Sequence, residues 1–82
     1  MEIRYKPEAI KQLKKIGAKD KNKVRRKIES LDANPFGGKL LQGQLKDIRS
    51  LRAWPLRIIY TFDSKSKIIT IETVDYRGDV YK

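Results

Sequence analysis

The first residues of the chain alternate between apolar and polar side chains. Ile3 and Tyr5 fall on one side of residues 1–6, and charged residues fall on the other. This two-residue period is typical of a half-buried strand. Pro7 ends the alternation and suits the first turn of a helix. We therefore predict a strand over residues 1–6 that is followed directly by a helix.

The next segment has the apolar spacing of an amphipathic helix. Ala9, Leu13 and Ile16 recur at helical spacing within residues 8–16, while lysines occupy other positions. Gly17 is typical of a position at which a helix ends. The pattern predicts a first helix with a basic outer face that stops at Gly17.

A second helix is predicted beyond this glycine. Val24, Ile28 and Leu31 keep the i, i+4, i+7 spacing, and Asp20 is the expected N-cap. The sequence Asn-Pro-Phe-Gly-Gly at residues 34–38 then ends the helical half of the chain. Proline disfavours helix at the residue before it, and paired glycines free the backbone.

The second half of the chain has the composition of strands. Segments rich in β-branched and aromatic residues are separated by turn signals at Pro55 and at residues 63–66. The predicted strands are residues 46–53, 57–62 and 67–76. Residues 40–45 are ambiguous. The three segments suit an antiparallel meander.

Together these elements predict a single α+β domain over residues 1–82. Its order is an N-terminal strand, two helices and then an antiparallel three-strand meander (βααβββ). Helices on one face of such a sheet leave the other face open, and an open face in a basic protein is a natural place for a ligand.

Composition narrows the chemistry. The 82 residues include no cysteine and no histidine, so disulfides, cysteine or histidine zinc sites and histidine acid/base catalysis are excluded. We expect no cofactor and no metal. Because the sequence shows no apolar signal segment and no run of membrane-spanning length, we expect a cytoplasmic protein without a membrane partner.

The charge balance points to a polyanionic partner. The chain has 20 lysines and arginines against 10 acidic residues, a formal net charge of +10. Each lysine or arginine placed on a phosphate releases a condensed counterion, so nucleic acid or the ribosome is the first expected partner and an acidic protein the second. A basic surface that only keeps the chain soluble is the alternative.

Several arginines lie in or beside the predicted strands, where apolar or threonine side chains suit a sheet better. They are Arg49, Arg52, Arg57 and Arg77. Departures from local preference often mark functional sites.

Arg57 is the clearest of these departures. Strand alternation puts it on the face opposite Ile58 and Tyr60, which we predict to be core. On the open face its planar guanidinium suits phosphate oxygens and can hold a developing charge. An ion pair with Glu72 or Asp75 of the neighbouring strand is the alternative.

Two aromatic residues also have two interpretations each. Trp54 either stacks on a base or covers the hairpin end beside Pro55, and we favour packing. Tyr81 can exchange a proton or offer a ring for stacking, or it secures the end of the chain against the sheet.

Several short motifs follow one another along the chain. They are Asn34-Pro35, Lys39-Leu40-Leu41-Gln42-Gly43, Ile48-Arg49-Ser50-Leu51-Arg52, Leu56-Arg57-Ile58-Ile59-Tyr60 and Tyr76-Arg77-Gly78-Asp79-Val80-Tyr81. With the strand and basic helices before them, they resemble the RelE/ParE superfamily of toxins from bacterial and archaeal toxin–antitoxin pairs. The resemblance covers essentially the whole chain. It implies a fold similar to microbial ribonucleases and an antitoxin that wraps the toxin and blocks its site.

The resemblance also implies roles for single residues. Arg57 matches the family's arginine before an apolar-apolar-tyrosine run, which in the ribonuclease branch stabilises charge at the scissile phosphate, and Arg52 matches the arginine of the preceding strand. Arg77 matches an arginine four positions before the terminal tyrosine, and Tyr81 matches that tyrosine, which in RelE itself stacks on an mRNA base. These four are the expected catalytic residues. The implied reaction is attack by a ribose 2′-hydroxyl on the adjacent phosphate, without metal or covalent enzyme intermediate.

The sequence departs from the RelE branch in its basic residues. Ile48 and Ser50 stand where that branch has a catalytic lysine pair, and Asp75 stands where it has a further arginine. The strand is closer to the HigB and phage-associated branch, in which catalytic sets vary. The general base is therefore unassigned, with Glu72 and Asp75 as candidates by type and Lys46 by charge.

The leading hypothesis from sequence is a ribosome-dependent mRNA interferase of a type II toxin–antitoxin pair. Its expected partners are an acidic cognate antitoxin, the ribosome and mRNA, with DNA contacted only through the toxin–antitoxin complex. The alternatives are a DNA gyrase inhibitor of the ParE type and a degenerate member that only binds its antitoxin or nucleic acid. The expected RNA- and ribosome-binding residues are Lys14, Lys15, Lys21, Lys23, Arg25, Arg26, Lys27, Lys46 and Arg49.

Overall fold

The computed structural model of the chain describes residues 1–43 and 47–76. The strands of this part form a five-stranded sheet, and both helices pack against one face of it. In chain order the elements are β1 (Glu2–Tyr5), α1 (Pro7–Lys15), α2 (Ala18–Ala33), β2 (Lys39–Gly43), β3 (Asp47–Ala53), β4 (Leu56–Asp63) and β5 (Ile68–Tyr76). Neither helix is long and apolar enough to cross a membrane, among the residues described.

The strand order across the sheet is β1-β5-β4-β3-β2. Strands β2 to β5 form an antiparallel meander, and β1 runs parallel to β5 at the other edge. The predicted α+β fold is confirmed, but the meander has four strands rather than three. The additional strand, β2, falls in the segment that the sequence left ambiguous. Leu40 and Leu41 are 48% and 47% exposed. Because burial does not alternate between these two neighbours, the sequence of this edge strand has no apolar–polar period by which it could be predicted.

The core lies between the helices and one face of the sheet. Ile58, Tyr60 and Phe62 of β4 are buried there, as strand alternation predicts. The helices contribute the apolar stripes that their spacing indicated, namely Ala9, Ile16, Val24, Ile28 and Leu31. Within the described part of the chain, α1 packs on β5 and α2 packs on β3 and β4, both on the core side of the sheet. The opposite face of β3 and β4 therefore carries neither of these two helices.

The junction between the helices differs from the prediction. Gly17 is not the C-terminal cap of α1, because Ile16 takes that position and Gly17 is the N-cap of α2. Gly17 has φ −64° and ψ 157°, an extended conformation and not the left-handed one that favours glycine at a helix end. Asp20 is therefore not the N-cap but a first-turn residue, where its charge still favours the positive end of the helix dipole.

Candidate anion-binding cleft

A tight hairpin connects β3 to β4. Its two turn residues are Trp54 and Pro55, joined by a cis peptide bond. The register of the two strands sets Arg52 directly opposite Arg57. Residues paired in this way point to the same face of a sheet, and here it is the face away from the helices. The hairpin therefore brings together two of the arginines that the resemblance marked as catalytic.

Arg57 is largely enclosed by its neighbours. Only 7% of its surface is exposed, and its Nη1 donates a hydrogen bond of 2.9 Å to Oγ of Ser50. Ser50 is itself only 5% exposed. A buried hydrogen bond from a charged donor fixes one arm of the guanidinium against β3.

The carboxylates considered as partners of Arg57 contact other groups. Asp75 lies opposite Arg57 in the register of β4 and β5, but its Oδ2 accepts a hydrogen bond of 3.3 Å from Nε2 of Gln12. Oε1 of Glu72 lies 3.4 Å from Nζ of Lys6. Oε2 of Glu72 also accepts a hydrogen bond of 3.3 Å from Oγ1 of Thr61 in β4. Both carboxylates, which were also candidate bases, thus contact other residues of the domain.

A cleft of about 350 Å³ opens at the edge of β3 where β2 begins. Its lining comes from α2, the loop before β2 and strands β2, β3 and β4. The lining residues are Lys27, Gly37, Lys39, Ser50, Leu51, Arg52 and Arg57. Four of these seven are cationic and none is acidic. Cations gathered in a concave, partly desolvated site focus a positive potential that attracts anions.

The loop that forms one wall of the cleft is fixed by Tyr60. Its hydroxyl donates to the carbonyl of Pro35 at 2.8 Å and accepts from the N–H of Gly38 at 2.9 Å. A Cβ on Gly38 would lie 2.8 Å from the Tyr60 ring and 3.0 Å from the Ser50 carbonyl. Only glycine allows this approach, so the breaker sequence that ended the helical half also sets where β2 starts.

The environment of Tyr60 keeps its phenol protonated. Burial raises the pKa of Tyr60 above its ordinary value of 10.0. The bond from Gly38 and the charge of Arg49 oppose this rise, and Asp47 adds to it. The neutral hydroxyl is what the two hydrogen bonds require, since it must donate to a carbonyl.

Arg49, predicted to bind RNA or the ribosome, makes several contacts within the protein. Its Nη1 donates to the Gly38 carbonyl at 2.9 Å, and its Nη2 lies 2.9 Å from Oδ2 of Asp47. Its guanidinium carbon lies 4.9 Å from the centre of the Phe36 ring, which in turn packs edge-on against Phe62. These contacts join β3 to the loop before β2.

The basic residues predicted on the helices separate into different places. Lys27 lines the cleft, whereas Lys14, Lys21 and Arg25 border a second groove of about 340 Å³ between α1 and α2. That groove has an apolar lining, which comprises Tyr5, Ile10, Leu13, Val24 and Ile28. Further exposed cations lie elsewhere on the helices, namely Lys15, Lys23 and Arg26.

Three predicted site residues, Arg77, Tyr81 and Lys46, lie outside the described residues. Trp54 lies within them and is 61% exposed, so its ring is not buried in the core. Its two interpretations, covering the hairpin end beside Pro55 and stacking on a base, stay predictions.

Sequence reasoning missed two residues of the cleft. Lys39 was counted only as part of a motif, because its segment had no recognisable period. Ser50 was noted only for not being basic, although its hydroxyl holds Arg57. A usable signal for Lys39 is its place directly after the glycine pair, where the register of a new strand begins.

The fold and the cleft together define a class: a small, basic α+β domain with a cationic site at the hairpin end of its sheet. The sequence model of the family described as "ParE toxin of type II toxin-antitoxin system, parDE" matches residues 3–81. The chain therefore belongs to this family of toxins, within the RelE/ParE superfamily that the motifs resemble. A comparison with curated protein sequences finds no match.

Solved structures of similar fold include toxins crystallised with their antitoxins. The archaeal RelE–RelB complex from Pyrococcus horikoshii OT3 matches at 21% identity and TM-score 0.85, over 95% of this chain and 96% of that chain. The RelBE2 toxin–antitoxin complex of Mycobacterium tuberculosis matches at 26% identity and TM-score 0.79, over 93% and 96%. The YoeB dimer from Staphylococcus aureus matches at 24% identity and TM-score 0.75, over 94% and 97%.

Proposed function

We propose that this toxin is a ribosome-dependent mRNA interferase, an endoribonuclease that cuts mRNA during translation. The observation that carries the proposal is the cleft lined by Arg52, Arg57, Lys27 and Lys39, with no acidic residue among the described residues that line it. An RNA phosphodiester is the ligand whose charge and size such a site suits, because guanidinium groups pair with phosphate oxygens in a fork and lysine adds a point charge.

The proposed reaction uses the substrate's own nucleophile. The 2′-oxygen of a ribose bonds to the adjacent phosphorus while the bond from phosphorus to the 5′-oxygen breaks, which leaves a 2′,3′-cyclic phosphate and a 5′-hydroxyl end. One proton leaves the 2′-hydroxyl and one is delivered to the departing 5′-oxygen. Arg57 stabilises the charge that develops on the phosphoryl oxygens, with Arg52 beside it, while Arg77 and Tyr81 complete the proposed catalytic set.

The exposed cations of the helices are proposed to contact RNA outside the cleft. Lys15, Lys23 and Arg26 are exposed, and phosphate contacts of this kind position a protein without reading sequence. Arg49 contributes less in this proposal, since its guanidinium contacts the loop before β2 and Asp47. Binding through such contacts should weaken steeply as salt rises.

An acidic antitoxin is the proposed protein partner. The relatives named above that were crystallised as toxin–antitoxin complexes support a partner of this kind. The groove between α1 and α2 fits an apolar segment with acidic flanks, because Ile10 and Tyr5 are 43% and 40% exposed there and three cations border them. Large exposed apolar residues within a charged border are typical of protein interfaces.

A second candidate is inhibition of DNA gyrase. The observation that favours it is the family match, which is to ParE toxins, together with the nonbasic Ile48 and Ser50 on β3. A supercoiling assay with purified gyrase separates the two candidates, because a gyrase inhibitor blocks supercoiling at toxic doses and leaves mRNA intact.

The deciding experiment is a translation extract programmed with a defined mRNA, followed by mapping of the RNA ends. The wild type should produce new 5′-hydroxyl ends, and Arg57→Ala should lower the cleavage rate by about 10²-fold or more, as loss of one preorganised donor does elsewhere. Lys65→Gln, in the exposed turn between β4 and β5, is the matched control and should cleave like the wild type. Intact mRNA at doses of wild type that arrest growth would contradict the proposal.

A further inference from the structure

Lys39 occupies a specific place beside the Arg57 side chain. It is the first residue of β2 and pairs with Ser50 across the β2–β3 ladder. Side chains paired in this way share a face, with their Cβ atoms about 5 Å apart. The Ser50 hydroxyl at that position accepts the 2.9 Å hydrogen bond from Nη1 of Arg57. The lysine side chain therefore starts next to the group that holds the guanidinium, and both cations line the cleft.

The excess of positive charge in the cleft favours binding of an anion. Among the ion pairs of the described residues, none involves Lys39, Lys27 or Arg52. The cleft thus gathers several positive charges, and none of its described lining residues carries a carboxylate. Like charges in adjacent register positions destabilise a sheet, so a bound anion would relieve repulsion as well as gain attraction.

The position of Lys39 is also set firmly by the loop before it. Tyr60 bonds to both the Pro35 carbonyl and the Gly38 N–H, and the Gly38 carbonyl accepts from Arg49 at 2.9 Å. The backbone immediately before Lys39 is therefore anchored to β3 and β4. Only the long lysine side chain remains to adapt, which suits contact with a flexible chain of phosphates.

We propose that Lys39 is a phosphate-contacting residue of this cleft, where its ammonium and the Arg57 guanidinium hold one RNA phosphodiester between β2 and β4. This inference rests on the proposed function for its substrate class. In it, Ser50 orients Arg57, Arg57 offers a planar fork of donors, and Lys39 supplies a mobile point charge.

The test compares Lys39→Gln and Lys39→Arg with Lys65→Gln, a matched change of charge in the β4–β5 turn. The probe is a short single-stranded RNA with 2′-O-methyl groups, which cannot undergo 2′-hydroxyl attack. Amide signals of the ¹⁵N-labelled protein locate the contact, and fluorescence anisotropy at several salt concentrations measures affinity. Thermal melts by circular dichroism confirm that each variant is folded.

The wild type should show shifted amide signals at Ser50, Leu51 and Arg52. The slope of log affinity against log salt should be shallower by about 0.7 for Lys39→Gln than for the wild type, the change expected for one lost phosphate contact on a single strand. Lys39→Arg should restore the slope, and Lys65→Gln should match the wild type. Absence of shifts at the cleft, or equal slopes for Lys39→Gln and Lys65→Gln, would overturn the assignment.

The same preparations distinguish this inference from the ribonuclease proposal. If the wild type binds the probe in the expected pattern but leaves mRNA intact in the translation extract, the ribonuclease proposal fails and the assignment of Lys39 stands. If the wild type cleaves mRNA while Lys39→Gln binds and cleaves equally well, only the assignment of Lys39 fails.

Discussion

Arg52 and Arg57 face each other directly across the hairpin between β3 and β4. Like charges in this relationship destabilise an antiparallel pair by a few tenths to about 1 kcal/mol. A sheet selected for stability alone would place an opposite charge or an apolar residue at one of the two positions. We therefore propose that the pair serves anion binding at the expense of the stability of the fold.

The first prediction concerns this trade-off at Arg52. Arg52→Gln should raise the free energy of unfolding by a few tenths of a kcal/mol, because it removes the repulsion, while RNA binding weakens. Urea denaturation measures the first effect and anisotropy with the noncleavable RNA measures the second. A variant that loses both stability and binding would show that Arg52 holds the hairpin together, contrary to this expectation.

The second prediction concerns the hydroxyl that holds Arg57. Ser50→Ala removes one buried acceptor of the guanidinium, which should lower the free energy of unfolding by about 1–3 kcal/mol. It should also lower the cleavage rate at saturating mRNA more than it raises the concentration needed for half-saturation, since the donor remains but is less well oriented. Ser50→Thr keeps the hydroxyl and is the control. Equal behaviour of the alanine and threonine variants would speak against an orienting role.

The third prediction concerns the contact between Gly38 and Tyr60. Gly38→Ala places a methyl group 2.8 Å from the tyrosine ring and 3.0 Å from the Ser50 backbone, which should lower the free energy of unfolding by about 1–3 kcal/mol through overpacking. Gly17→Ala is the matched control, because nothing lies within 4 Å of its added Cβ. Its effect should stay within about 1 kcal/mol. If both substitutions are equally mild, the loop before β2 is less firmly held than its contacts indicate.

The sequence predicted those elements of the fold whose burial leaves a periodic pattern of apolar residues. The buried face of β4 and the stripe of α2 followed from periodicity, because burial itself imposes the period. Strand β2 gave no such signal, since it lies at the edge of the sheet and is held by backbone pairing with β3. The end of α1 was located within a residue, but the capping chemistry at Gly17 was not.

The candidate site was predictable only where a single residue departs from the pattern of its own strand. Arg52 and Arg57 stood out because arginine is unusual in an apolar strand, and their motif marked them. Lys39 did not stand out, because its proposed role rests on its pairing with Ser50, which the sequence alone does not reveal. Sequence reasoning treated Ser50 as a missing cation, whereas the structure places a cation across the strand from it. Cross-strand relations of this kind depend on register, which the hydrophobic pattern of an exposed edge does not specify.

The fourth prediction concerns the groove between α1 and α2. Ile10→Asp puts a negative charge among its apolar residues and should weaken the complex with a coexpressed antitoxin by about 10-fold or more, since it removes apolar contact and repels an acidic partner. Ser64→Asp adds the same single negative charge in the exposed turn between β4 and β5 and is the control. RNA cleavage by Ile10→Asp should match the wild type. An unchanged affinity for antitoxin would place the interface elsewhere.

The last prediction concerns pH and the phenol of Tyr60. Its pKa in the folded protein is raised above the unfolded value of 10.0, so the folded state holds this proton more tightly. The stabilisation is fully present below pH 10 and declines as the pH rises through 10 towards the folded pKa.

Tyr60→Phe also loses the bonds to Pro35 and Gly38, at a cost of about 1–3 kcal/mol near neutral pH. The difference in unfolding free energy between wild type and Tyr60→Phe should therefore shrink above pH 10. Because the two proteins differ only at residue 60, urea denaturation of the pair from pH 7 to 11 isolates the contribution of Tyr60. A difference that stays constant over this range would mean that the phenol is not held as the neutral donor to Pro35.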